Sequence, residues 1–380
     1  MSQELTNIFN CKEKVHNFNA LPFPSKKTEE WIYTNPNLLF GEINTLSTNK
    51  GSPSLNFEHG ILFFNGKVIK NSTNFSFELT ESTPKVEEAT YHLQSALPEV
   101  TININSSTEK PLFIEQVYET KNSNELGGSN ITLNIEDNVS ISIIEVVKGN
   151  EKGLHSGLTK INLGKNSNVE YIKVLPSSLE DKYLGTVHTT TKRDSFFNGV
   201  IITLGAEISR HHLLAENNEE NATCNFHGLF SLDKNQHSDT FSFIKHLSPK
   251  TYSGQLYKGV LNGESKGVFT GKLYIARDAQ EVDANQLSKN LLLSPKAHVD
   301  TRPQLEVYAD DVKAAHGATV GQIGEEEIFY LQSRGINAST AYKMLCKAFS
   351  IDVVDHVKNN EARSFLLSEL SKKDVLREEK

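Results

Sequence analysis

Two adjacent carboxylates, Asp310 and Asp311, stand a few residues before His316 in the run TRPQLEVYADDVKAAHGATVGQIGEEEIFYLQSRGINASTAYKMLCKAF, Thr301 to Phe349. Two acids and an imidazole could do acid–base work or hold a metal ion. The competing reading makes Asp310 and Asp311 turn residues that bond nearby backbone amides, and this reading is preferred. His316 lies between Ala315 and Gly317, so little bulk hinders a partner's approach. A neutral imidazole is a competent ligand for iron or copper, although a histidine read alone is more often a structural hydrogen-bonder.

Other constellations are weaker. Gly317, Gly321 and Gly324 lack the GxGxxG spacing, and Gly267-Val-Phe-Thr-Gly271-Lys272 is one residue short of a phosphate loop. Leu273 follows it where a phosphate loop needs Ser or Thr, so the expectation there is a hairpin. His211 and His212 are adjacent on a strand and face opposite ways, which prevents them from sharing an ion. Cys224 and His227 read as a buried cysteine and an ordinary histidine. No GxSxG, HExxH or catalytic-cysteine context is present.

The elements that must position His316 are legible around it. QLEVYAD alternates Leu305, Val307 and Ala309 against Glu306, Tyr308 and Asp310, as a half-buried strand does. After Gly324, EEEIFYLQSRG opens with three acids suited to a helix N-terminus and closes on Arg334-Gly335. Asn337 can cap a second helix whose Met344, Leu345, Ala348 and Phe349 form one apolar stripe, and a third helix is expected from Glu361 to Leu376. Upstream, short β-branched runs such as TININ, NVSISIIEVV, NVEYIKVL and GVIITLG recur between Asn-, Asp- and Gly-rich turns, without a convincing helix. Ile135-Glu-Asp-Asn138-Val139 and Leu163-Gly-Lys-Asn-Ser-Asn168-Val169 resemble one another in form. Such repetition suits a coiled β-solenoid, or otherwise a large sandwich. The first hundred residues are mixed, with helix-like spacing in LTNIFNCKEKVHNF and a hairpin expected at Asn65-Gly66.

Composition narrows the function. A net charge of −8 over 380 residues, without a basic run, argues against nucleic acid as a partner. Three scattered cysteines, Cys11, Cys224 and Cys346, fit a reducing compartment and exclude a zinc motif within one segment. No apolar leader or membrane-length stretch is read, so a cytoplasmic protein without membrane association is expected.

At YADDVKAAHGATVGQIGEEEIFYLQSRGI, Tyr308 to Ile336, the chain resembles the SufB/SufD family of iron–sulfur cluster assembly scaffolds, in its SufD-like wording. PFPSKKTEEWIYT, Pro22 to Thr34, is similar to that family's N-terminal motif, while the long middle agrees in texture only. The resemblance implies a mainly β protein: a right-handed parallel β-helix core (101–321), a mixed α/β N-terminal domain (1–100) and a small C-terminal helical domain (322–380). It implies a non-catalytic subunit that pairs with a SufB-like subunit through Leu305, Val307 and Tyr308, or with itself as a homodimer when isolated. It further implies a dock for a SufC-like ABC-type ATPase built from Ile328, Leu331, Arg334, Met344 and Phe349. The family histidine falls on His316, which would share the nascent cluster with the partner. Many relatives carry Cys-Ser before that histidine, whereas this chain has Ala314-Ala315. One histidine alone implies no tightly bound cofactor in the isolated chain and a transient cluster in the complex. The rival readings are a β-helix carbohydrate-active enzyme using Asp310 and Asp311, and a purely structural interaction protein.

Overall fold

Consecutive strands alternate between two ten-stranded sheets, so each chain segment pairs with the segment two strands later. The computed structural model describes residues 23–47, 51, 53–80, 89–94, 97, 99–149 and 153–376. The neighbours are parallel and in register from Glu99 onward, which defines a parallel β-helix of about eight turns. A strand that leaves one sheet, crosses a short corner and joins the other pairs all its ladder groups with the coils above and below. The inward side chains of both sheets fill one long apolar core, which includes Ile102, Ile143, Phe197, Phe226 and Leu273.

The corners explain the Asn-rich turns. Asn138, Asn166, Asp194 and Asn221 all have positive φ, a conformation that Asn and Asp tolerate better than other non-glycine residues. Asn166 donates to Asn138 at 2.8 Å and Asn221 to Asp194 at 2.7 Å, so the corners stack as a ladder. The structural counterpart of Asn138 is therefore Asn166. The similarity between Asn138-Val139 and Asn168-Val169 is two residues out of register, because Asn168 pairs with Ser140.

Gly60–Phe64 and Lys67–Asn71 form the expected hairpin, with φ of 43° at Asn65 and 81° at Gly66. The hairpin expected at Gly267–Lys272 does not exist. Lys266–Ile275 is one continuous strand paired on both sides. Its glycines make room instead of turning the chain: a Cβ at Gly267 would lie 2.5 Å from the Phe230 ring. The helix-like segment around Cys11 lies outside the described residues.

The N-terminal motif is a clamp on the outside of the solenoid. Trp31 is buried with its ring 3.8 Å from the Arg210 guanidinium, itself fully buried. Arg210 also pairs with Asp239 and donates to the Glu30 carbonyl at 2.6 Å and to His212 at 2.7 Å. Thr34 donates to the same Asp239 carboxylate. Two residues before Trp31, the Glu29 side chain accepts from Arg302 at 2.5 Å and from Gln304 at 3.1 Å, which ties the motif to the last coil. These hydrogen bonds hold the Glu29 carboxyl below the usual range.

Three helices follow the solenoid: Glu325–Gln332, Ala338–Val354 and Asn360–Ser371. Asn337 caps the second as expected, accepting from the Thr340 amide at 2.9 Å. Its buried residues are Ala341, Cys346, Ser350, Val353 and Val354, with Phe349 packed beside them. The expected stripe is thus only partly used, and Met344 stays exposed. Ionic anchors reinforce this packing. Lys258 pairs with Asp352, donates to the Phe349 carbonyl at 2.8 Å and lies 4.2 Å from the Phe349 ring. Glu170 accepts from the Lys358 and Asn359 amides at the start of the third helix.

Between helices two and three, His356 stacks on His227 with ring centroids 3.6 Å apart. Burial pushes His227 down to about 3, and burial with the Lys358 charge lowers His356 against the opposing pull of Asp355 and Asp352. A histidine held below its free value of 6.5 stabilises the docked state above that value, because the undocked form binds protons first. Stability is therefore lost as pH falls from about 6.5 toward 3. The amides of helices two and three should exchange faster with solvent at pH 5 than at pH 7.5, after correction for intrinsic rates. His227→Phe should remove most of that difference.

Candidate functional site

The last coil of the solenoid is open. His298–Val307 ends one sheet and Val312–Gly321 ends the other, so among the described residues each has a strand neighbour on one side only. Free edges of this length invite pairing with another chain unless they are covered or blunted. Pro303, central in one of these strands, removes a donor and sits where sheets admit proline, at an edge.

His316 stands in the middle of the Val312–Gly321 strand, on the same side as Val312 and Ala314, which pack against the solenoid core. With no described coil above it, the imidazole is exposed at the mouth of the lumen. Leu305 packs on the core from the opposite sheet, whereas Val307 and Tyr308 are exposed. Tyr308 has its ring 5.5 Å from Tyr274 one coil below.

Asp310 and Asp311 occupy the exposed corner between the two edge strands. The Asp311 amide donates to the Gln280 side chain at 2.9 Å, and its carbonyl accepts from Glu281 at 2.6 Å. The pair sits at a corner stacked on the one below it through backbone groups of Asp311. Among the described residues no group of three or more His, Cys, Asp or Glu could hold a metal ion. His316 belongs to no such group.

The remaining sequence candidates separate in space. His211 points into the lumen, where it meets Thr203 at 3.0 Å and burial pushes it down to about 3. His212 points outward to Trp31. Cys224 is in the core, and burial raises its thiol strongly. His227 is on the opposite side of that strand, so the two cannot meet.

Next to the open mouth, the Glu325–Gln332 helix has no buried residue. Phe329 is 70% exposed and Tyr330 57%, with Arg334 stacked 3.7 Å from the Tyr330 ring. Ile328 and Leu331 are half-buried, and Met344 on the second helix is exposed. The exposed apolar side chains thus cluster on the outer face of this helix, which packs against the second helix. No helix among the described residues is long and apolar enough to cross a membrane.

Sequence reading missed the polar groups inside the solenoid. Lys173 and Glu145, both fully buried, pair at 2.6 Å, and Tyr171 and Thr159 donate to the same carboxylate at 2.6 and 2.8 Å. The signal lay in the coil length, since Lys173 is the register partner of Glu145. Gln286, the register partner of His316, was missed for the same reason.

Residues 118–349 match the family model described as SUF system FeS cluster assembly, SufBD core domain. The chain is 36% identical over 200 residues to an iron–sulfur cluster assembly SufBD family protein of Synechocystis, covering 53% of this chain and 44% of the relative. It is 32% identical over 213 residues to the iron–sulfur cluster assembly protein SufD of Escherichia coli, covering 56% and 50%. With the chloroplastic protein ABCI7 of Arabidopsis thaliana it shares 28% identity over 233 residues, covering 60% and 49%. The chain thus spans about half the length of these curated relatives.

Proposed function

The chain belongs to the SufBD core family of the SUF iron–sulfur cluster assembly system, and on that premise we propose that it is a non-catalytic scaffold subunit of a cluster assembly complex. The observation that carries this reading is the uncapped last coil with His316 in its mouth. A SufB-like subunit adds its own strands to the free edges at His298–Val307 and Val312–Gly321, covering Leu305, Val307 and Tyr308. The same edges allow the isolated chain to pair with itself. The exposed face at Ile328, Phe329, Leu331, Arg334 and Met344, with Phe349 behind it, receives a SufC-like ABC-type ATPase. In this division of labour the β-helix core carries the shared interface, and the C-terminal helices transmit the ATPase's movement to it.

His316 offers one neutral imidazole nitrogen to the nascent cluster, which is cargo and not a resident cofactor. The partner supplies the remaining donors, because Ala314 and Ala315 bring none. This assigns the chain to the cytoplasm with its partners, and it leaves Asp310 and Asp311 a structural part at the corner.

Co-purification separates the two docking surfaces. Phe329→Glu should lose the ATPase while keeping the SufB-like subunit. Val320→Lys, which puts a charge on the same edge strand four residues beyond His316, should lose the SufB-like subunit and keep the ATPase. If both variants retained both partners, the assigned surfaces would be wrong.

A further inference from the structure

Beneath His316, on the lumen side of the same sheet, one column of side chains runs through every coil. In register it reads Leu112, Ile143, Tyr171, Gly199, Phe226, Gln255, Gln286 and His316. The column is apolar, aromatic or glycine until its last three positions, and it turns polar only on approaching the mouth. Gln286 is 3% exposed, and among the described residues neither atom of its amide has a hydrogen-bond partner. Gln255 below it is in the same condition. A core position is costly to fill with an unpaired amide when Leu or Ile would fit, so the amide calls for a partner at the mouth. The opposite sheet makes room for it: a Cβ at Gly271 would lie 1.6 Å from the Gln286 amide nitrogen.

We infer that Gln286 is a positioning residue for His316, its amide oxygen accepting from one ring N–H so that the other ring nitrogen faces out of the lumen. The two side chains stand on adjacent strands about 4.8 Å apart, within reach of such a bond. Histidines that bind metals generally donate their second ring N–H to a carbonyl or carboxylate oxygen, which fixes tautomer and orientation. An amide does this without adding charge. Gln255 lies beneath Gln286 on the next strand, and Gly271 leaves open the space that the Gln286 amide occupies. The inference rests on the reading of His316 as a ligand, but its first test does not.

The test is the tautomer of His316 in the full chain, read from long-range proton–nitrogen spectra and assigned by the signal lost in His316→Asn. The parent protein should show one dominant tautomer. Gln286→Met keeps the volume and removes the acceptor, and should shift the tautomer ratio about fivefold, the worth of one ordinary hydrogen bond. Gln286→Glu keeps an acceptor and should retain the dominant tautomer. Cobalt(II) alone, titrated into the full chain, should bind about tenfold more weakly to Gln286→Met, the usual loss for an outer-shell partner. Should Gln286→Met not fold, Gly271→Ala displaces the amide from the opposite sheet and should give the same shift. A tautomer ratio equal to the parent's in the folded variants overturns the inference. If the ratio shifts but His316→Ala leaves cluster assembly unchanged, the ligand reading fails while the hydrogen bond stands.

Discussion

Replacing His316 by alanine is expected to reduce cluster formation on the reconstituted complex at least about tenfold, since losing a ligand costs no less than losing its outer-shell partner. The fold should not notice. The imidazole is exposed on an edge strand, and surface substitutions of that kind stay within about 0.5 kcal/mol. Co-purification with both partners should also be unchanged, because the apolar docking residues lie elsewhere on the edge and on the helices. Measuring iron and acid-labile sulfide per complex, beside the melting temperature of the chain alone, separates the two effects. Cluster formation at the parental level would end the assignment of His316 and favour a purely structural subunit.

The second large effect is on stability. Lys173→Met leaves the Glu145 carboxylate fully buried without its cation, and breaking a buried pair by removing one partner costs about 3–5 kcal/mol. Tyr171 and Thr159 still donate to that carboxylate, which places the loss toward the lower end. The double variant Glu145→Gln/Lys173→Met removes both charges and should recover most of the loss, since replacing a whole buried ion pair by uncharged groups of similar volume is often near neutral. Denaturant unfolding of the parent, both single variants and the double variant gives the coupling directly. A Lys173→Met protein within about 1 kcal/mol of the parent would show that the lumen solvates Glu145 by other means.

Much of the fold was readable locally. β-branched runs between Asn-rich turns point to a solenoid, since an in-register coil needs little more than short alternating strands and corners that accept positive φ. The hairpin at Asn65-Gly66 and the cap at Asn337 follow from side-chain chemistry confined to a few residues. The glycines of Lys266–Ile275 could not be read this way. A glycine that turns the chain and one that yields to Phe230 from another coil look alike in sequence.

The site divides along the same line. Residue type by itself read Asp310 and Asp311 as turn residues, while His316 was singled out only by the resemblance of Tyr308 to Ile336 to the SufB/SufD family. Only the tertiary structure decided that His316 ends a column above Gln286 and Gln255, that Glu145 meets Lys173, and that Trp31 clamps Arg210. The physical reason is the coil. Contacts along a β-helix join residues a full turn apart, and corner lengths vary, so a shift of one residue in a corner would move every side chain to the other face.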